Sequence, residues 1–302
     1  MTEARIYSQG FRQYDGPRTG PKGALKSLQK QSLRQSLGLG RGIGYKVVPI
    51  CMFLAAAVPV IFFVGVAIGA IVLGEPIKSL ALETIPDAGA FFGWINIFTV
   101  VLAAYTAPLL LSNDRRTGML GVYLAGPLDR LRYILAKFWA TGVTLATVVV
   151  VPSLLVFLSL TAIGEGPDGF GEWIKTFALI LIASVAICVF YAAVSLALAS
   201  LTDRQSIGWI IFIGVAMVTG GFSLISEIDD SLAWLGNFSI TSTAPALARR
   251  IASPDTEGLI PSTISIIATY VAIVSASIAV IWWQYRRPVS YTHLTLPTIC
   301  SV

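Results

Sequence analysis

Histidine is almost absent from this chain and cysteine is scarce: His293 stands alone, beside Cys51, Cys188 and Cys300. A zinc site or a disulfide scaffold needs such residues in spaced clusters, so neither is expected. Charge is also short. Asp, Glu, Lys and Arg make up 12% of the 302 residues, against 55% hydrophobic. A soluble protein of this length cannot hide so much apolar surface in one core. Two catalytic signatures are missing as well. No Gly-x-x-x-x-Gly-Lys-[Ser/Thr] run offers a phosphate cradle, and no Gly-x-Ser-x-Gly presents a nucleophile.

What is present is apolar and long. Crossing the hydrocarbon layer takes about 20 consecutive apolar residues in a helix. Segments 47–73, 91–111, 136–163, 174–201, 207–225 and 261–283 meet that length without period-two alternation. Lipid admits only helices and closed barrels, so these runs predict an all-α membrane protein with six transmembrane helices. Cys51 and Cys188 fall inside the runs and read as small core residues.

Charge sign fixes an expected orientation. The net charge is +5, and of the 21 Lys and Arg only Lys78, Lys175, Arg249 and Arg250 lie in the first, third and fifth connections or their margins. The rest occupy the amino-terminal segment, the second and fourth connections and the end of the sixth run. Basic loops stay in the cytoplasm, which predicts a multi-pass protein of the cell (plasma) membrane with both termini cytoplasmic. The same distribution accounts for the basic residues through topology and anionic membrane lipid, and no nucleic-acid partner is expected.

Residues 1–46 form a cytoplasmic segment ahead of the 47–287 membrane domain. Within it, Leu25, Leu28, Leu33 and Leu37 share one face of a predicted helix over 24–37, with Lys26, Lys30 and Arg34 on the others. Such a helix suits the headgroup layer, and a solvated basic arm is the alternative. No cleavable signal peptide is expected, since the first 45 residues hold no short apolar run. Residues 288–302 read as a non-native tail. Val289–Thr298 resembles the in-frame translation of a common transposase-type sequencing adaptor, so His293 carries no mechanistic weight.

The second connection is the most informative. It reads Ser112-Asn113-Asp114-Arg115-Arg116-Thr117-Gly118-Met119-Leu120, then Ala125-Gly126-Pro127-Leu128-Asp129-Arg130. Asn113 or Asp114 is suited to cap a short helix, Gly126 to end it and Pro127 to open the next. Leu128, Leu131, Ile134, Leu135 and Phe138 then recur at helical spacing. The outcome is a charged helix-turn-helix that a partner can grip; a capped connector with solvated charges is the plain alternative.

The segment Asp114-Arg115-Arg116-Thr117-Gly118-Met119-Leu120, with Pro127-Leu128-Asp129-Arg130 and Ala136-Lys137, resembles the signature of type-2 ABC exporter permeases. Tyr14-Asp15-Gly16-Pro17-Arg18, Gly40-Arg41 and Lys46 resemble that group more loosely. The sequence departs from the pattern in carrying Asp114 for the usual Glu, and Thr117-Gly118 in reversed order. The resemblance implies a dimer of six-helix halves, as homodimer or heterodimer with a second permease, served by a cytoplasmic ABC ATPase. It implies an amino-terminal elbow helix and a cytoplasmic coupling helix that docks on the ATPase. Asp114, Arg115, Arg116, Gly118, Gly126, Pro127, Arg130 and Lys137 would form that coupling element. The chain itself would be non-catalytic and free of cofactor, ATP being bound by the partner.

The spans themselves offer little chemistry. Within the apolar runs no Asp, Glu or Arg occurs, and Lys137 and Lys175 fall at interface depth. Ion-driven carriers need buried ionisable groups, so energy from outside the bilayer is expected. A secondary carrier, channel or membrane scaffold, and a membrane-embedded enzyme, are the other readings. Gly65 and Gly69, and the small residues about Ala192–Ala199, read as packing contacts. Asn96, Thr99, Tyr105 and Tyr270 are candidates for a translocation surface. In the long fifth connection, Ser239–Thr243 supplies capping residues, Pro245–Ile251 one or two helical turns and Ser253-Pro254 a stop. The substrate is not legible, and neither is any substrate-binding residue.

Overall fold

Each of the six apolar runs folds as a helix long and apolar enough to cross a membrane. The structure is a computed structural model describing residues 20–40, 42–73, 85–125, 128–164, 166–167, 169–228, 230–253 and 262–286. Its helices are α1 (Gly20–Ser36), α2 (Gly44–Leu73), α3 (Ala88–Arg116), α4 (Met119–Ala125), α5 (Arg130–Ile163), α6 (Phe170–Ala199), α7 (Gln205–Ile228), α8 (Ile240–Ala252) and α9 (Thr263–Arg286), with a 3-10 helix at Asp230–Phe238. No strand occurs among the described residues. The six spanning helices are α2, α3, α5, α6, α7 and α9. Residues 288–302 and the start of the amino-terminal segment lie outside the described residues.

The bundle is built around α3, which buries 78% of its apolar window, whereas α2 buries 22% and α7 and α9 17% each. The core runs through Phe91, Phe92, Ile95, Leu145, Phe190 and Tyr191. Ile61, Phe62, Ile210 and Met217 remain exposed on the peripheral helices α2 and α7. That leaves apolar faces suited to lipid or a second subunit. Cys188 is buried as expected, but Cys51 is exposed, because it lies on peripheral α2. Close packing has a visible cost of space at Gly208: a Cβ there would sit 2.8 Å from ring carbons of Pro108, so α7 starts against the α3 proline.

Proline explains two of the four polar residues proposed above to line a translocation surface. A proline inside a helix withdraws the N–H that would meet the carbonyl four residues earlier. Pro245 does this to Thr241, whose carbonyl instead accepts from Asn96 Nδ2 at 2.8 Å. Asn96 Oδ1 in turn accepts from Tyr191 Oη at 2.7 Å, so one side chain ties α3, α6 and α8 together. Pro49 orphans the Tyr45 carbonyl, and Tyr105 Oη donates to it at 2.9 Å. Tyr270 donates to the Ala186 carbonyl at 2.9 Å, and Thr99 to Ile95 within its own helix. Asn96, Tyr105 and Tyr270 thus join helices, Thr99 bonds within its own, and Asn96 also lines a cavity at the α8 end of the bundle. Asn96→Ala is expected to lower stability by about 1–2 kcal/mol, since it leaves the Thr241 carbonyl and the Tyr191 phenol with only their 3.4 Å contact to each other. A fall in the thermal midpoint of the detergent-solubilised protein reads this loss.

Helix α1 departs from the leucine face expected of it. Its buried residues are Leu28, Ser32, Gln35 and Ser36, because its second half packs on α5 and α3 rather than on lipid alone. Gln35 Nε2 donates to the Leu109 carbonyl at 2.9 Å, and Ser36 Oγ lies 2.6 Å from Thr144 Oγ1. Lys22, Lys26, Lys30 and Arg34 are exposed on the other side. At the opposite end of the bundle, α8 begins at Ile240, five residues before Pro245, with Ser239 and Ser253 in the cap positions.

Candidate functional site

The expected coupling element is the connection α3–α4–α5. Helix α3 does not stop at Leu111 but continues to Arg116, so Asn113 and Asp114 lie in its last turn and do not cap α4. The break comes at Thr117 and Gly118. Thr117 Oγ1 donates to the Asn113 carbonyl at 2.8 Å, closing the α3 end. Gly118 adopts φ +71°, a left-handed value that glycine reaches without a Cβ penalty. Helix α4 follows at once. Gly126 and Pro127 lie outside the described residues; α5 opens at Arg130 with Asp129 in the N-cap position.

Asp114 faces inward. Its Oδ2 lies 2.7 Å from Lys137 Nζ, and the two residues are only 3% and 2% exposed. Tyr133 Oη donates to the same oxygen at 3.1 Å. Tyr133 and Lys137 stand four residues apart on α5, which puts both on the face toward α3. The Tyr133 ring lies 6.0 Å from Tyr123 of α4 and 5.9 Å from Tyr285 of α9. Burial, with the Asp114 carboxylate second, pushes the Tyr123 phenol above its usual range.

Arg115 is also turned in. Its guanidinium lies 4.9 Å from the centre of the Tyr285 ring and donates to the Ser200 carbonyl at 2.6 Å, with Asp203 at 3.5 Å. One cluster thus holds the ends of α3 and α9, the start of α5 and the α6–α7 turn. The exposed members of the predicted set are Arg116 and Arg130. Arg130 makes a 3.4 Å contact with the Arg286 carbonyl. Arg116 lines a cleft of about 430 Å³ with Arg204 and Trp209.

The predicted residues therefore divide. Asp114, Arg115 and Lys137 hold the helix ends together, and Arg116 and Arg130 face out on either side of α4. Sequence reasoning missed Tyr123, Tyr133 and Tyr285. The i, i+4 spacing of Tyr133 and Lys137 was the available signal. The second apolar run itself holds no acidic residue, but its helix extends past it and carries Asp114 in the last turn.

Curated proteins give no match to the chain. Over residues 74–282 it matches the family described as ABC-2 family transporter protein. That range takes in α3 to α8 and nearly all of α9, with the whole α3–α4–α5 connection. Six spanning helices, one charged connection locked by a buried ion pair and this match belong together: the chain is a membrane component of the ABC-2 transporter family.

Proposed function

We propose that the chain is the permease subunit of an ATP-driven exporter, working as a dimer with a separate cytoplasmic ATPase. Hydrolysis takes place on that partner, which binds the ATP. The chain lies in the plasma membrane with both termini, α1 and α4 on the cytoplasmic side, as the Lys and Arg distribution supports. The observation that carries the reading is the Asp114–Lys137 pair with its Tyr133 bond. It fastens the two helices flanking α4 to each other, so a push on α4 moves α3 and α5 as one body. Packed elements of this kind transmit small shifts without absorbing them.

The same pair supports a second reading, a secondary carrier, because a buried ionisable group can bind a coupling ion. Against it, the pair lies at the ends of its helices and is closed on itself, whereas carrier sites gather near the bilayer midplane. One experiment separates the two. A candidate partner, an ABC ATPase sought among the neighbouring reading frames by its phosphate-binding loop, is purified alone and with the chain in lipid nanodiscs. Turnover that rises on complex formation is the expected result. A chain that leaves turnover unchanged and moves cargo in proteoliposomes without nucleotide would overturn the exporter reading.

A further inference from the structure

A cavity of about 720 Å³ opens at the α8 end of the bundle, between the start of α3, the end of α7, the 3-10 helix, α8 and α9. That lies in the roughly 300–1,000 Å³ range of ligand sites, and it is far more than a bare ion needs. Its wall is mostly apolar with polar side chains set into it, and the donors of those side chains are largely committed. Ser223, Ser226 and Ser242 each donate their hydroxyl to a backbone carbonyl, at 2.7, 2.7 and 3.0 Å. Asn96 uses its amide N–H on Thr241, and Asn237 points its own at Ser265 Oγ, 3.3 Å away. A serine oxygen that has donated still carries lone pairs, so this wall receives hydrogen bonds from whatever enters.

The remaining side carries the opposite chemistry. Arg249 and Arg250 line the cavity on the last turns of α8. Arg249 is exposed, and no carboxylate pairs with it among the described residues. Arg250 donates to Thr263 Oγ1 at 2.6 Å, which holds the second guanidinium in place. Gly89 lets Arg249 approach: a Cβ there would lie 2.9 Å from the Arg249 carbonyl and 3.0 Å from its Cγ. Guanidinium is the group best shaped to take a phosphate or carboxylate through paired N–H bonds.

We propose that this cavity binds an anionic head group that also carries hydroxyl donors, a polyol or sugar phosphate being the simplest. Its charge meets Arg249, and its hydroxyls meet the serine and asparagine oxygens. A free polyol phosphate and the head of a lipid such as phosphatidylglycerol share this chemistry.

Binding needs no nucleotide or partner chain, so the test stands apart from the exporter reading. The full chain in neutral detergent is titrated with radiolabelled glycerol phosphate, methyl phosphate and glycerol. Native mass spectrometry compares retained phosphatidylglycerol with phosphatidylcholine. Glycerol phosphate binding points to a free ligand, and phosphatidylglycerol retention alone to a lipid. Whichever probe binds, Arg249→Glu is expected to weaken it at least about tenfold, and Arg249→Lys less than about threefold. Where the Glu variant does not fold, Arg249→Gln removes the charge alone. Methyl phosphate, lacking the hydroxyls, is expected to bind about two- to tenfold more weakly than glycerol phosphate. The proposal fails if neither glycerol phosphate nor phosphatidylglycerol binds, if glycerol or phosphatidylcholine binds equally well, or if removing the Arg249 charge changes nothing.

Discussion

Asp114→Ala is expected to destabilise the protein by about 3–5 kcal/mol. Alanine is the better helix former, so the loss does not come from α3 itself. It comes from Lys137. With the carboxylate gone, an ammonium that is 2% exposed has lost its counter-ion at 2.7 Å. Tyr133 loses its acceptor at the same time. Lys137→Met reverses the problem and strands the carboxylate, with a loss of the same order. The instructive variant is the double one. Asp114→Leu with Lys137→Met removes both charges and leaves side chains of similar volume, and such replacements are often neutral or stabilising. Thermal unfolding in detergent, followed by helical circular dichroism, should give two low midpoints and one much nearer the native value, short of it by the equivalent of about 1 kcal/mol because Tyr133 still lacks its acceptor. If the double variant is as unstable as the singles, the cost lies in packing and not in unpaired charge.

This pair shows where the sequence stops being readable. The six spans follow from apolar length alone, because lipid leaves the backbone only one economical answer. Their ends do not. Asp114 to Arg116 read as loop because they are charged, yet α3 carries them for another turn, since each finds an internal or solvent partner. That Asp114 meets Lys137 depends on α3 and α5 lying side by side, which a 23-residue separation does not state. The proline-orphaned carbonyls are harder still. Pro245 announces a missing donor in α8, but nothing near it names Asn96, which lies 145 residues from the carbonyl it satisfies. Pattern gives the elements and their breaks; long-range polar pairing depends on the packing. The same limit applies to α1. Its leucine periodicity suggests a lipid face, while Gln35 and Ser36 find partners on α3 and α5.

Reversing two of the outward charges beside α4 should uncouple the proposed ATPase partner without harming the fold. Arg116→Glu with Arg130→Glu is expected to remove at least about nine-tenths of the ATPase stimulation given by the chain, a loss worth about 1.4 kcal/mol or more at the contact. The choice follows from burial. Arg115 looks equivalent in sequence, but its guanidinium is held over Tyr285 and on the Ser200 carbonyl. Arg115→Glu would put a carboxylate among those groups and confuse misfolding with uncoupling. Arg116 and Arg130 are exposed, and exposed single charges contribute about 0–1 kcal/mol to stability. Unfolding of the double variant should therefore track the wild type while stimulation collapses. Raised salt should imitate the variant in part, because exposed pairs are screened within about 10 Å at 0.1 M. Two controls fix the location. Lys22→Glu with Lys26→Glu reverses two charges on α1 and should leave stimulation nearly intact. Gly118→Val burdens a φ of +71° with a branched side chain and should loosen the turn that presents α4, lowering stimulation without touching a charge. Equal loss from the α1 and α4 reversals would mean that the partner senses only the field of a basic surface. Loss confined to the α4 variants places the grip on the hinge that the Asp114–Lys137 pair holds rigid.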